Sequence, residues 1–127
     1  METYKEGIQL NYSKLVSAAH KGRKPLRDKL ILSMLAQPSI SYELLASLRA
    51  HEIDQDAAGR FWIRRRVPNG GQMTLPLSHD SSRYMLEYLE SKRLHGTDRL
   101  VLGISRSAVA MLLGRLRRRC GDTWTAS

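Results

Sequence analysis

Apolar residues along this chain recur at two spacings, one helical and one strand-like. Ile8, Tyr12, Leu15, Val16 and Ala19 fall on one helical face, which predicts a helix over residues 8–19. His20-Lys21-Gly22-Arg23-Lys24-Pro25 interrupts it, because Gly22 loosens the backbone and Pro25 keeps its predecessor out of the helical region. Leu30, Ile31, Leu32, Met34 and Leu35 predict a core helix over residues 26–36, with Asp28 facing its positive end. Pro38 marks a break, and Ser39 or Ser41 can cap a following helix carrying Tyr42, Leu44, Leu45 and Leu48.

The spacing then changes. Residues 54–59 form a polar turn, and Phe61, Trp62, Ile63 and Val67 read as a strand. Asn69-Gly70-Gly71 signals a hairpin, since these residues accept positive φ at low cost. Met73, Leu75 and Leu77 alternate on the return strand, where Pro76 points to an edge or an end. A helix is expected from Ser78 to about Lys92, with Tyr84, Met85, Tyr88 and Leu89 buried. After Gly96 and a short apolar piece, Leu100-Val101-Leu102, Ser105 caps a last helix with Val109, Leu112, Leu113 and Leu116 inward and Gly121 at its end. The expected class is α+β, a small helical domain with an antiparallel β-hairpin. The expected divisions are an N-terminal helix (1–20), a basic connector (21–25), a main domain (26–121) and a tail (122–127) whose Trp124 is a docking candidate.

Charge narrows the function. The 127 residues carry 21 Lys and Arg against 12 Asp and Glu, a formal net charge of +9. The excess grows toward the C-terminus, and arginine has a planar donor fork suited to phosphate. Nucleic acid is therefore the expected partner. Cys120 is the only cysteine, so no intrachain disulfide is possible. His20, His51, His79 and His95 are isolated and lack metal-site spacing, so no metal and no cofactor is expected. No apolar run has the length to cross a bilayer, and the polar start is unlike a secretory signal. The expected location is the cytoplasm, on the nucleoid when bound to DNA.

Several pieces resemble a known family in order and spacing. These are Leu26-Arg27-Asp28-Lys29-Leu30, Tyr42-Glu43-Leu44-Leu45-Ala46-Ser47-Leu48, His51-Glu52-Ile53-Asp54, Met73-Thr74-Leu75-Pro76-Leu77-Ser78, and the helix from Ser105 to Gly121. Together they resemble the N-terminal half of the tyrosine recombinase (phage integrase) catalytic domain. The resemblance implies a truncated recombinase-like core, but it departs from the family where the chemistry lies. The match at Glu43 puts Ile40 where the family keeps its first catalytic arginine, and an isoleucine is expected in the core. The family's hairpin lysine is missing, since no lysine lies between residues 30 and 91. No tyrosine follows Tyr88, whereas the family's nucleophile lies beyond the last basic helix. An alternative alignment makes Arg49 the catalytic arginine. The favoured expectation is a protein with no catalytic residues of its own: an accessory factor or regulator that binds double-stranded DNA.

The candidate DNA-binding residues are Lys21, Arg23 and Lys24 in the connector, Arg64, Arg65 and Arg66 in the hairpin, and Arg106, Arg115, Arg118 and Arg119 on the last helix. Strand alternation puts Arg64 and Arg66 on one face and Arg65 on the other. Helical spacing groups Arg115, Arg118 and Arg119. A winged-helix repressor is the competing DNA-binding reading, with residues 30–48 as helix-turn-helix and 61–77 as wing. Two further readings are a module that docks on a recombinase or forms a homodimer, and a fragment of an active recombinase.

Overall fold

A computed structural model describes residues 4–120. It contains α1 (Tyr4–Leu10), α2 (Tyr12–His20), α3 (Pro25–Leu35), α4 (Tyr42–Ser47), a 3-10 turn (Ala50–Glu52), β1 (Ile53–Gln55), β2 (Phe61–Arg66), β3 (Gln72–Pro76), α5 (His79–Lys92) and α6 (Arg106–Arg119). This is a small α+β domain of helices and one three-stranded antiparallel sheet, ordered β1-β2-β3.

The segment that is apolar on nearly every side lies at the centre. In α3 every residue from Leu30 to Leu35 is buried, as expected of a helix covered all round. It packs between α2 and α5, while α6 closes against α2 and α4. One core runs from Ile8 through Leu15, Ile40 and Ile63 to Leu116, so α1 and α2 share it with the rest of the chain.

Three serines start three helices in the same way. Ser41, Ser78 and Ser105 each accept a hydrogen bond from the backbone N–H three residues on, at 3.0, 3.1 and 3.1 Å. The connector is a tight turn, with the Gly22 N–H donating to the Ala19 carbonyl at 3.0 Å. At the far end of α3, the Lys5 ammonium donates to the carbonyls of Leu35, Gln37 and Ile40. A cation there satisfies orphan carbonyls and complements the negative helix end. Beside it the rings of Tyr4 and Tyr42 stack 4.5 Å apart.

The hairpin forms where expected, around Gly70 at φ 90°, and Pro76 is the last residue of edge strand β3. Three details differ from the expectation. The single helix over 8–19 is two helices that meet at Asn11, whose side-chain amide donates to the Gly7 carbonyl at 2.9 Å. The start of the 54–59 turn belongs to a third strand, with Ile53 opposite Ile63 and Gln55 opposite Phe61. Leu48 leaves α4 in extended conformation and accepts from the Val101 N–H at 2.8 Å, so the apolar 100–102 piece docks beside residues 48–50. Gly121, expected to end the last helix, and Trp124 lie outside the described residues. No helix among the described residues is long and apolar enough to cross a membrane.

Candidate nucleic-acid interface

Packing of α6 brings five cations to one cleft. Val109, Leu112, Leu113 and Leu116 recur every three or four residues and are buried, which fixes the rotation of the helix. Arg115 and Arg119, one turn apart, then face the α2–α3 connector. Between them and Arg23, Lys24 and Arg27 lies a cleft of about 340 Å³ floored by Leu112 and Leu116. Its one acid is Asp28, which is buried and held by the Arg27 Nε at 2.9 Å. Among the described residues, Arg23, Lys24, Arg115 and Arg119 have no ion pair. The cleft borders the first turn of α3, where the helix dipole adds positive potential.

Arg119 lies against a glycine. A Cβ on Gly22 would lie 2.8 Å from the Arg119 Nη1, so the end of that flexible side chain would have to shift. Gly22 is not among the positive-φ glycines, so at this position space is at stake and backbone conformation is not. On its other side Arg119 borders a second depression shared with Lys14, Lys21 and Cys120. Burial pushes the Cys120 thiol above its usual pKa, with Lys14 pulling the other way.

The remaining predicted residues are dispersed. Arg118 is exposed, and its guanidinium lies back along the helix toward Gly114. Arg106 begins α6, about 20 Å from Arg119 at a helical rise of 1.5 Å per residue, and pairs with Glu43 at 2.6 Å. The hairpin arginines separate by strand parity. Phe61 and Ile63 are buried and Arg65 is half-buried on the core side, while Trp62, Arg64 and Arg66 look outward. Arg65 grips Glu52 with two bonds, Nε–Oε2 at 2.8 Å and Nη2–Oε1 at 3.0 Å, and also donates to the Ser47 Oγ. Arg64 pairs with Asp54 at 3.0 Å in solvent. Arg66 is exposed and has no hydrogen bond or ion pair to a described residue.

Local electrostatics follow these contacts. Burial pushes the Glu52 carboxyl up, but the Arg65 fork and the Arg49 N–H more than offset it, leaving its pKa below the usual range. The Trp62 indole N–H donates to Asp56 at 3.0 Å and, with the Arg60 N–H, holds that carboxyl below its usual range. The Arg60 guanidinium sits 5.6 Å from the Trp62 ring centre.

The positions at which the recombinase resemblance seeks an arginine or a tyrosine are packed or hydrogen-bonded. Ile40 is fully buried. Arg49 donates to the Asp98 carbonyl at 2.6 Å and its backbone bridges to Leu100. Burial raises the pKa of Tyr4, Tyr12, Tyr42 and Tyr88, the opposite of an activated phenol. Tyr42 is pushed to about 12, and Tyr12 donates to Asp80 at 2.9 Å. Among the described residues, no three His, Cys, Asp or Glu side chains form a metal-binding group.

Sequence reasoning missed two cations. Arg27 lies in the cleft, although its only signal was adjacency to the connector. Lys14 has a readable signal, because it precedes Lys21 by seven residues on the same side of α2. Comparison with family models, with curated proteins and with solved structures finds no match.

Proposed function

We propose that this chain binds double-stranded DNA through its phosphates and does not cleave it, acting as an accessory factor or regulator related to tyrosine recombinases. One observation carries the DNA-binding reading: cations far apart in the chain, Arg23 and Lys24 with Arg115 and Arg119, converge on one cleft without ion-pair partners among the described residues. Such clustering is unfavourable for the isolated protein, and a bound polyanion relieves it. Arg66 on the open sheet face and Arg118 on the exposed side of α6 supply further phosphate contacts. The absence of cleavage is supported by the buried Ile40 and by the packed tyrosines with raised pKa values. The winged-helix alternative would place α4 in the groove, yet the only charge in Tyr42–Ser47 is Glu43.

The test is the affinity for one duplex across a salt series. Phosphate neutralisation releases counterions, so log affinity should fall steeply and linearly with log salt. Arg115→Ala with Arg119→Ala should reduce the slope by about 1.8, roughly 0.9 per lost contact. A flat salt response, or an unchanged slope in the folded double variant, would refute the proposal.

A further inference from the structure

We infer that the Arg23–Arg119 cleft is a site for a phosphomonoester, the dianionic phosphate at the end of a nucleic-acid strand. The inference rests on the DNA-binding reading for the source of that phosphate, and on the cleft itself for the chemistry.

A running duplex backbone presents phosphodiesters on a convex ridge. Each carries one negative charge and lies between two sugars. Each diester passes a cluster of cations with two free oxygens and a single charge between them. A terminal phosphate enters end-on. It carries about −1.5 to −2 charge near neutral pH and has three strong acceptor oxygens.

The cleft matches that description. Five cations line it, and only Arg27 is drawn off by the one acid, Asp28. Arg23, Arg115 and Arg119 bring forks with no ion pair among the described residues, suited to two-pronged bonding of phosphate oxygens. Leu112 and Leu116 beneath are buried, which fixes the helix face that presents Arg115 and Arg119. Gly22 leaves room for the Arg119 guanidinium at the wall: a Cβ there would lie 2.8 Å from its Nη1, and the end of that flexible side chain would swing aside.

The experiment compares one short blunt duplex with and without 5′-phosphates, by anisotropy competition. In parallel, amide NMR follows inorganic phosphate, dimethyl phosphate and a nucleoside monophosphate. The phosphorylated duplex should bind roughly tenfold more tightly, about what one added charge-assisted bond contributes. Inorganic phosphate should shift resonances of residues 22–28 and 115–119, and dimethyl phosphate should not. Arg115→Gln with Arg119→Gln, both at exposed positions, should erase the preference. Equal binding of the two duplexes, with cleft resonances unmoved by phosphate, overturns the inference and leaves salt-dependent DNA binding standing. Phosphate shifts at the cleft with no binding to either duplex support the cleft and refute the DNA-binding reading. Saturation by the nucleoside monophosphate alone would then identify a free nucleotide as the source.

Discussion

Three consecutive arginines, Arg64, Arg65 and Arg66, should respond to alanine substitution in three different ways. Arg65 is the structural one. Its fork makes two charge-assisted bonds to Glu52, with side-chain exposures of 24% and 12%. An exposed pair contributes about 0–1 kcal/mol, and breaking a fully buried pair costs about 3–5 kcal/mol. This pair lies between, so Arg65→Ala should cost about 2 kcal/mol and lower the melting temperature by roughly 8 °C. The loss should depend on pH with a defined sign. The folded Glu52 pKa is depressed, so its contribution is complete above the unfolded carboxylate pKa and disappears as pH falls through the folded value. Urea midpoints of wild type and Arg65→Ala should therefore differ at pH 7 and converge toward pH 3. DNA affinity at matched folded fraction should barely change. Arg66→Ala should leave the melting temperature unmoved and lower the salt slope by up to about 0.9. Arg64→Ala should cost under about 0.5 kcal/mol, because its partner Asp54 is also in solvent. An Arg65→Ala protein of wild-type stability with a reduced salt slope would refute this division and make Arg65 a phosphate contact.

Two adjacent serines of α5 should also behave differently. Ser82 Oγ accepts from the buried Phe61 N–H at 3.1 Å, so Ser82→Ala should cost about 1–3 kcal/mol in urea unfolding. Ser81 Oγ is buried without a hydrogen-bond partner among the described residues, so Ser81→Ala should be neutral or slightly stabilising; a loss above about 1 kcal/mol would mean the hydroxyl is satisfied in solution. Lys5→Met keeps an aliphatic stem but removes the cap from three carbonyls, and should cost about 1–2 kcal/mol by thermal melting; an unchanged melting temperature would mean that water replaces the ammonium freely.

The elements that could be read in the sequence are those specified by neighbours along the chain. Ser41, Ser78 and Ser105 each bond three residues ahead, and Asn69-Gly70 turns within its own hairpin, so local chemistry suffices. Alternation in Phe61–Arg66 likewise placed Arg65 opposite its two neighbours. Strand β1 escaped because three residues with one apolar side chain carry no period, and its conformation comes from pairing with β2. The break at Asn11 escaped because apolar spacing continues across it, while α1 is held by Tyr42 and the end of α3. The commitment of Arg65 to Glu52 was also invisible, since nothing in the run of three arginines marks one as already paired. The candidate site was legible only as separate clusters. Connector and last helix were each marked by charge, but their meeting depends on α6 packing against α2, a long-range event with no local signature.

That meeting ties the protein's binding surface to its own cohesion. The cleft joins an early helix pair to the last helix, and opening of α6 would release the repulsion among Arg23, Lys24, Arg27, Arg115 and Arg119. Any anion that bridges the two sides selects the closed state by mass action, with about 2.7 kcal/mol of added stability at a hundredfold excess over its dissociation constant. The C-terminal helix is then a tether whose fraying, followed by amide hydrogen exchange, measures cleft occupancy directly. The basic seam that lowers the cohesion of the free chain becomes its fastening once an anion is bound.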